Sequence, residues 1–133
     1  MNYFLDTNIC VYYLNNSKSC VRDKINNTPT EDIKIPSIVA AELLYGAEKS
    51  GKREFNLKLF KTFLSIYQIV NFDYKSAECY ASIRASLERK GQIIGNNDIV
   101  IASVTLSNNG VLVTHNFDEF SRIKELKIED WAN

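Results

Sequence analysis

Asn2-Tyr3-Phe4-Leu5-Asp6-Thr7-Asn8-Ile9 is the stretch on which the fold turns. Asn2 to Leu5 reads as a short strand that is apolar on both faces, as strands buried in parallel sheets are. Ile9, Val11, Tyr12, Tyr13 and Leu14 follow at helical spacing. Asp6 stands where strand hands over to helix. In open parallel sheets that position faces the crevice beyond the carboxyl ends of the strands, where binding sites form.

The same alternation continues outward. Ser17 to Asn27 reads as a second helix, broken by Asn26-Asn27-Thr28-Pro29, and Ile33 to Ile35 as a brief strand. Pro36 and Ser37 open a helix that runs to about Ser50, with Ser37 as its N-cap and Gly51 as its stop. Phe55, Leu59 and Phe63 give Glu54 to Ile66 an amphipathic helical pattern, and Gln68 to Phe72 reads as a strand. Tyr74 to Lys90 is a longer helix stopped by Gly91. The loop Gly91 to Asn97 leads to a helix over Asp98 to Leu106, and Asn108-Asn109-Gly110 turns the chain into a strand at Val111 to Val113. A short helix over Phe117 to Ile123 and a strand over Leu126 to Ile128 finish the chain. This alternation predicts an α/β fold, a three-layer α/β/α sandwich with a central, mostly parallel sheet. Residues 1–133 are expected to form one domain, with no repeat, linker or low-complexity tract.

Composition excludes several classes. At 45% hydrophobic and 24% charged residues the chain has the make-up of a folded globule and not of a disordered tail. Sixteen basic residues balance sixteen acidic ones, so any affinity for nucleic acid has to come from a local basic face. Cys10, Cys20 and Cys79 are an odd number without Cys-x-x-Cys spacing, which argues against a disulfide framework and for a reducing compartment. No basic leader precedes Asp6 and no apolar run approaches a membrane span, so the expected location is the cytoplasm, away from membranes.

Three acids fit poorly as surface charges. Asp6 has a common structural use, capping the helix behind it. Glu42 lies in Ile38-Val39-Ala40-Ala41-Glu42-Leu43-Leu44, sharing a helix face with Ile38 and Gly46, and it falls beyond the first turn, where the helix dipole offers little. Asp98 opens Asp98-Ile99-Val100-Ile101-Ala102, a helix apolar on nearly all sides. Three such acids near strand ends and helix starts repel one another unless a cation sits among them. A set of oxygen donors without a His or Cys cluster points to Mg²⁺ or Mn²⁺ rather than zinc. His115 is the only histidine, too few for a zinc cluster and without a visible partner for a catalytic triad. Gly91-Gln92-Ile93-Ile94-Gly95 lacks the length and the lysine of a phosphate-binding P-loop.

Read in order, four motifs carry a resemblance. They are Phe4-Leu5-Asp6-Thr7-Asn8-Ile9; Ala40-Ala41-Glu42-Leu43 with Tyr45-Gly46; Ile94-Gly95-Asn96-Asn97-Asp98 with Ile99 to Ala102; and Leu112-Val113-Thr114-His115-Asn116 with Glu119-Phe120. The chain resembles the PIN-domain ribonucleases of the VapC toxin kind over nearly its whole length, and the closing Leu126-Lys127-Ile128-Glu129-Asp130-Trp131 resembles the usual end of such chains. The resemblance implies an α/β/α sandwich and an Mg²⁺- or Mn²⁺-dependent endoribonuclease; in-line attack by a metal-activated water is then expected to leave 5′-phosphate and 3′-hydroxyl ends. It also implies a structured RNA substrate such as tRNA, a cognate VapB-like antitoxin as inhibitor, and a homodimer. Asp6, Glu42 and Asp98 match the metal-binding acids, with Thr7, Asn8 and Thr114 in support. Where many relatives carry a fourth acid this chain has Asn116, so a second metal is expected to be weakly held there, or served by Asp118 or Glu119.

RNA contact requires positive charge away from the acids. Lys49, Lys52, Arg53, Lys58 and Lys61 cluster at a helix junction, with Lys18, Arg22 and Lys24 as a smaller group. Tyr12, Tyr13, Phe55, Leu59, Phe60 and Phe63 exceed what one short core face needs, and the resemblance assigns that region to a dimer or antitoxin contact. Two other readings keep the same acids. One is a catalytically weak PIN-fold binding module, suggested by Asn116; the other is a metal-dependent phosphatase acting on small esters.

Overall fold

The computed structural model describes residues 1–133. Its elements, in chain order, are β1 (Tyr3–Leu5), α1 (Thr7–Leu14), α2 (Ser19–Asn27), β2 (Ile33–Pro36), α3 (Ser37–Glu48), α4 (Arg53–Ile66), β3 (Gln68–Val70), α5 (Tyr74–Lys90), α6 (Asn96–Ser107), β4 (Val111–Val113), α7 (Phe117–Phe120) and β5 (Lys127–Glu129). A single 3₁₀ turn, Thr30–Asp32, precedes β2.

The five strands form one sheet in the order β3-β2-β1-β4-β5, and every neighbouring pair is parallel. β1 lies at the centre, with Tyr3 opposite Ile33 on one side and Val111 on the other. From β1 the chain builds outward through β2 to β3, then crosses back to place β4 and β5 on the far side. Right-handed crossovers are the rule for parallel strands, so this reversal sends α1–α4 to one face and α5–α7 to the other. Packing agrees: α3 lies on α4 and α1 on α2, while α5 lies on α6, and the two groups meet where α3 touches α6. The reversal falls between β1 and β4, which makes that gap the switch point of the sheet.

A core of 26 buried residues runs through both faces, with Phe4, Leu5, Ile33, Ile35, Leu112 and Val113 from the strands. At full burial each such side chain is worth about 1.5–3 kcal/mol relative to exposure. The close approach of β1 to β4 depends on Gly110, where an added Cβ would lie 2.4 Å from the Phe4 ring. α5 ends on Gly91 in the left-handed region, at φ 65°, a conformation glycine adopts without steric cost.

Several boundaries differ from the sequence expectation. Ser37 is not the N-cap of α3: extended Pro36 ends β2 and occupies the cap position, so the helix starts without a loop or a side-chain cap bond. α6 begins two residues earlier, at Asn96, which makes Asp98 its third residue and not its first. The helix at Phe117 stops at Phe120, and the last strand is Lys127–Glu129. β3 ends at Val70, two residues short, because as an edge strand it has only β2 to pair with.

Candidate active site

Asp6 leaves the carboxyl end of the central strand, and its backbone N–H still donates to the Val113 carbonyl at 3.1 Å, extending the β1–β4 ladder by one bond. Its side chain caps α1, with Oδ1 accepting from the Ile9 N–H at 2.9 Å. The capping use and the site position therefore coincide in one residue. Thr114 leaves β4 beside it and is fully buried; its hydroxyl accepts from the Asn116 N–H at 2.9 Å, which leaves the hydroxyl hydrogen free to turn toward Asp6.

Glu42 arrives from the second turn of α3. The Thr7 hydroxyl, on the first residue of α1, donates to Glu42 Oε1 at 2.7 Å and ties the two helices together across 35 residues of sequence. Asp98 comes from the first turn of α6, where an acid gains from the helix dipole. Asp6, Thr7, Asn8, Glu42, Asp98 and Asn116 surround one polar cleft of about 160 Å³, and Ile101 and Phe120 give it its apolar surface. All three acids singled out from sequence are thus brought together, from segments spread over nearly a hundred residues.

The electrostatics are those of charges without partners. Burial, foremost, pushes the Asp6 carboxyl up to about 6, against the pull of Thr114 and the Ile9 N–H, and the charges of Glu42 and Asp130 push the same way. Burial likewise raises Asp98 to about 6, aided by Glu119, Asp6 and Glu42. The ion pairs of the chain are Met1–Asp32, Arg53–Glu48 and Arg84–Glu88, and His115 meets Asp130; none reaches Asp6, Glu42 or Asp98. Cys10 is fully buried, and burial with the neighbouring Asp6 charge keeps its thiol neutral, well above the ordinary range. No thiolate or imidazole joins the cleft.

Of the residues named for a fourth acidic position, Asn116 lines the cleft itself. Glu119 stands against Asp98 and helps to raise its carboxyl, whereas Asp118 is exposed and is not among the groups acting on it. The donor set is all oxygen, which suits a hard divalent cation. Its acids are spread, however: nowhere do three His, Cys, Asp or Glu side chains converge tightly enough to enclose one ion. Asp130 is a contributor that sequence reading passed over. It receives the Ala132 N–H at 2.8 Å and His115 Nδ1 at 2.9 Å, and it adds its charge to those acting on Asp6.

The basic and apolar sets lie elsewhere. Lys49, Lys52 and Arg53 do not line the acidic cleft: Arg53 pairs with Glu48 at 2.6 Å, Lys49 sits 4.9 Å over the Tyr45 ring, and Lys52 borders a groove between α1 and α4. That groove, about 400 Å³, is lined by Val11, Leu14, Phe55, Leu59 and Phe60. Phe55 is 66% exposed there, while Phe63, grouped with it from sequence, is core and packs on Tyr13 and Tyr67. No helix is long and apolar enough to cross a membrane.

Comparison with known proteins agrees with this fold. Residues 3–126 match the PIN domain family. A relative named Ribonuclease VapC2, from Rickettsia felis, is 46% identical, with 98% of each chain covered. A tRNA(fMet)-specific endonuclease VapC from Salmonella typhimurium is 39% identical over 99% of each chain. Among solved structures, that of VapBC2 from Rickettsia felis bound to a DNA fragment from their promoter superposes with a TM-score of 0.89 at 44% identity, covering 98% of this chain and 99% of that one. The chain belongs to the PIN-domain family and, within it, to the VapC ribonucleases.

Proposed function

We propose that this chain is a divalent-metal-dependent endoribonuclease toxin of the cytoplasm, held in check by a VapB-like antitoxin. The observation that carries the reading is the set of carboxylates at the switch point. Asp6, Glu42 and Asp98 surround one cleft with no cation of the chain to balance them, and two of them are raised to about 6. Gathering three like charges around a buried Asp6 is costly beyond what capping α1 requires, so a function that supplies the missing positive charge explains it. The names of the relatives, a ribonuclease and a tRNA(fMet)-specific endonuclease, supply the substrate class.

Asp6, Glu42 and Asp98 would hold Mg²⁺ or Mn²⁺. The open spacing of the acids suits Mg²⁺ in particular, which keeps several of its waters and needs only one or two direct carboxylates. When bound, such an ion neutralises charge on the phosphoryl oxygens and acidifies a water for attack. The chain's own residues do the positioning. Thr7 fixes the Glu42 carboxylate by its 2.7 Å bond, Thr114 and the Ile9 N–H fix that of Asp6, and Asn8 and Asn116 offer neutral amides to the substrate at the mouth of the cleft. Glu119 faces Asp98 and adds negative charge beside it. The expected products carry 5′-phosphate and 3′-hydroxyl ends.

The groove between α1 and α4 is the proposed antitoxin seat, because Phe55, Leu59 and Phe60 are the kind of apolar anchors that receive an amphipathic segment. Incubating the purified protein with total RNA, with Mg²⁺, with Mn²⁺ and with chelator, tests the activity. Cleavage in the two metal arms alone is the expected result, and indifference to chelator removes the metal from the account. A catalytically weak binding module is the second reading, favoured by Asn116 at the fourth position. It predicts RNA or antitoxin binding without cleavage in any arm.

A further inference from the structure

A second polar cleft, of about 180 Å³, lies between the carboxyl end of α5 and the turn that follows α7. Arg89 and Lys90 enter it from α5, Arg122 and Lys124 from the turn, with the hydroxyls of Ser82 and Ser86 on the α5 side and Glu125 as the one acid. Basic residues in the last turn of a helix ordinarily answer its dipole, which accounts for Arg89 and Lys90. It does not account for Arg122 and Lys124, which a different part of the chain adds to the same space. None of the four cations is within 4 Å of a carboxylate, since the chain's ion pairs all lie elsewhere. Four gathered cations facing one acid mirror the acidic cleft with the sign reversed.

The cleft is also tied to the acids. Arg122 donates from Nη1 to the Ile93 carbonyl at 3.0 Å, gripping the loop that runs from α5 into α6 and so to Asp98. Its backbone N–H donates to the carbonyl of Glu119 at 3.2 Å, and Glu119 faces Asp98. The rest of the Arg122 guanidinium fork is free to meet an anion, and a planar fork suits two phosphate oxygens. A strand of nucleic acid entering a nest of carboxylates is repelled unless neighbouring phosphates find positive charge, and with net charge zero the chain must concentrate that charge locally.

We propose that this cleft is a phosphate subsite for the RNA strand, gripping the backbone beside the position at which the acids act. The inference rests on the nuclease reading and extends it. Arg89 and Lys124 supply long-range attraction and Arg122 orients the bound phosphate, while the Ile93 bond holds Arg122 in place. Sequence reading passed over this set because residues 89–90 and 122–124 are adjacent only after folding.

The test uses the full chain and a fluorescently labelled single-stranded RNA of about 20 nucleotides, long enough to span several phosphate positions. Arg89→Gln and Lys124→Gln, alone and together, are compared with Lys75→Gln, which removes the same charge from the same helix about 20 Å away. Binding is read by anisotropy in chelator across a salt series. The double variant is expected to bind about ten-fold more weakly, with the slope of log K against log salt reduced by about 1.4, the value for two lost phosphate contacts on a single strand. Lys75→Gln should match the wild type. With Mg²⁺ added, the double variant should raise KM for the same RNA by a similar factor with kcat little changed. Both side chains are exposed, and if the double variant melts early the single variants carry the comparison. Wild-type cleavage with no change in affinity or slope in any of these variants overturns the subsite and leaves the nuclease reading standing. Failure of the wild type to bind or cleave any RNA overturns both. Unchanged RNA affinity with lost antitoxin binding assigns the cleft to a protein and overturns the proposal.

Discussion

Helices α1 and α5 begin in the same way. Each is capped by an aspartate whose Oδ1 accepts from the backbone N–H three residues on, Asp6 from Ile9 at 2.9 Å and Asp73 from Ser76 at 3.0 Å. The two carboxyls then part company. Asp73 stands in water, and the N–H and hydroxyl of Ser76 hold it below the ordinary carboxylate range. Asp6 is 5% exposed and is pushed up to about 6. One local motif therefore serves as a plain cap in one place and as the centre of a charged cleft in the other. The deciding difference is the neighbourhood. α1 follows the central strand at the switch point and faces Glu42 and Asp98, whereas α5 follows the edge strand β3.

The largest expected effect separates the two caps by activity. Asp6→Asn should lower kcat/KM for RNA on the order of 10³-fold, the scale of several kcal/mol of lost charge stabilisation, and Asp98→Asn should do the same. Asp73→Asn should leave cleavage unchanged. Equal rates for Asp6→Asn and wild type, with contaminating nuclease excluded, would break the comparison at its root.

Next comes stability against pH, where the two caps carry opposite signs. The folded-state pKa of Asp6 lies above its unfolded value, so its contribution is fully present below about 3.8 and is lost as pH rises through about 6. Asp98 acts in the same sense. Asp73 contributes above 3.8 and loses that contribution as pH falls through its depressed value. Without metal, Tm should therefore rise as pH falls from 8 to 5. For the buried Asp6 the interval from 3.8 to about 6 corresponds to at most roughly 3 kcal/mol. Asp6→Asn, which keeps a capping oxygen and removes the charge, should flatten that rise and hold or raise Tm at pH 7; a scanning melt across the range decides it. Asp73→Ala should lower Tm at every pH above the carboxylate range.

A smaller effect follows from metal addition. At pH 7, Mn²⁺ at 100 times its Kd should stabilise the wild type by about 2.7 kcal/mol and Asp98→Asn by clearly less, while Asp73→Asn gains as much as wild type. The smallest effect concerns the fourth position. Asn116→Asp adds a charge at the cleft and should lower the Mn²⁺ concentration for half-maximal cleavage a few-fold, whereas Glu119→Gln should raise it. If Asn116→Asp, Asp118→Asn and Glu119→Gln all leave that concentration unchanged, the fourth position takes no part in metal binding.

The same contrast explains what could be read in the chain and what could not. Tyr74–Lys90 with its Gly91 stop and the strand Val111–Val113 were legible because their signals are local, a long periodic run and a glycine in one case, a turn followed by an apolar triplet in the other. Asp6, Glu42 and Asp98 stood out because each interrupts an apolar run. Ser37 misled because Pro36 can end a strand and start a helix without a capping residue between. The grouping of Phe63 with Phe55 misled because helical spacing alone cannot separate the face that meets the core from the one that borders a groove. Glu119 against Asp98, Asp130 near Asp6, and the basic set of Arg89 and Arg122 depend on contacts across the fold.

Gly110 sits at the opposite end of β4 from Thr114, about 13 Å away at strand rise, yet it governs the cleft. With the Phe4 ring closed over it, β4 cannot slide along β1, and a slip of one residue would turn Thr114 away from Asp6. In a saturation screen for survival on induction of this chain, inactivating hits should therefore gather at Gly110 as densely as at the acids. Such a screen maps the mechanical linkage of the sheet together with its chemistry. A position that touches no substrate would score as indispensable because it sets the alignment of the strands that lead to Asp6 and Thr114.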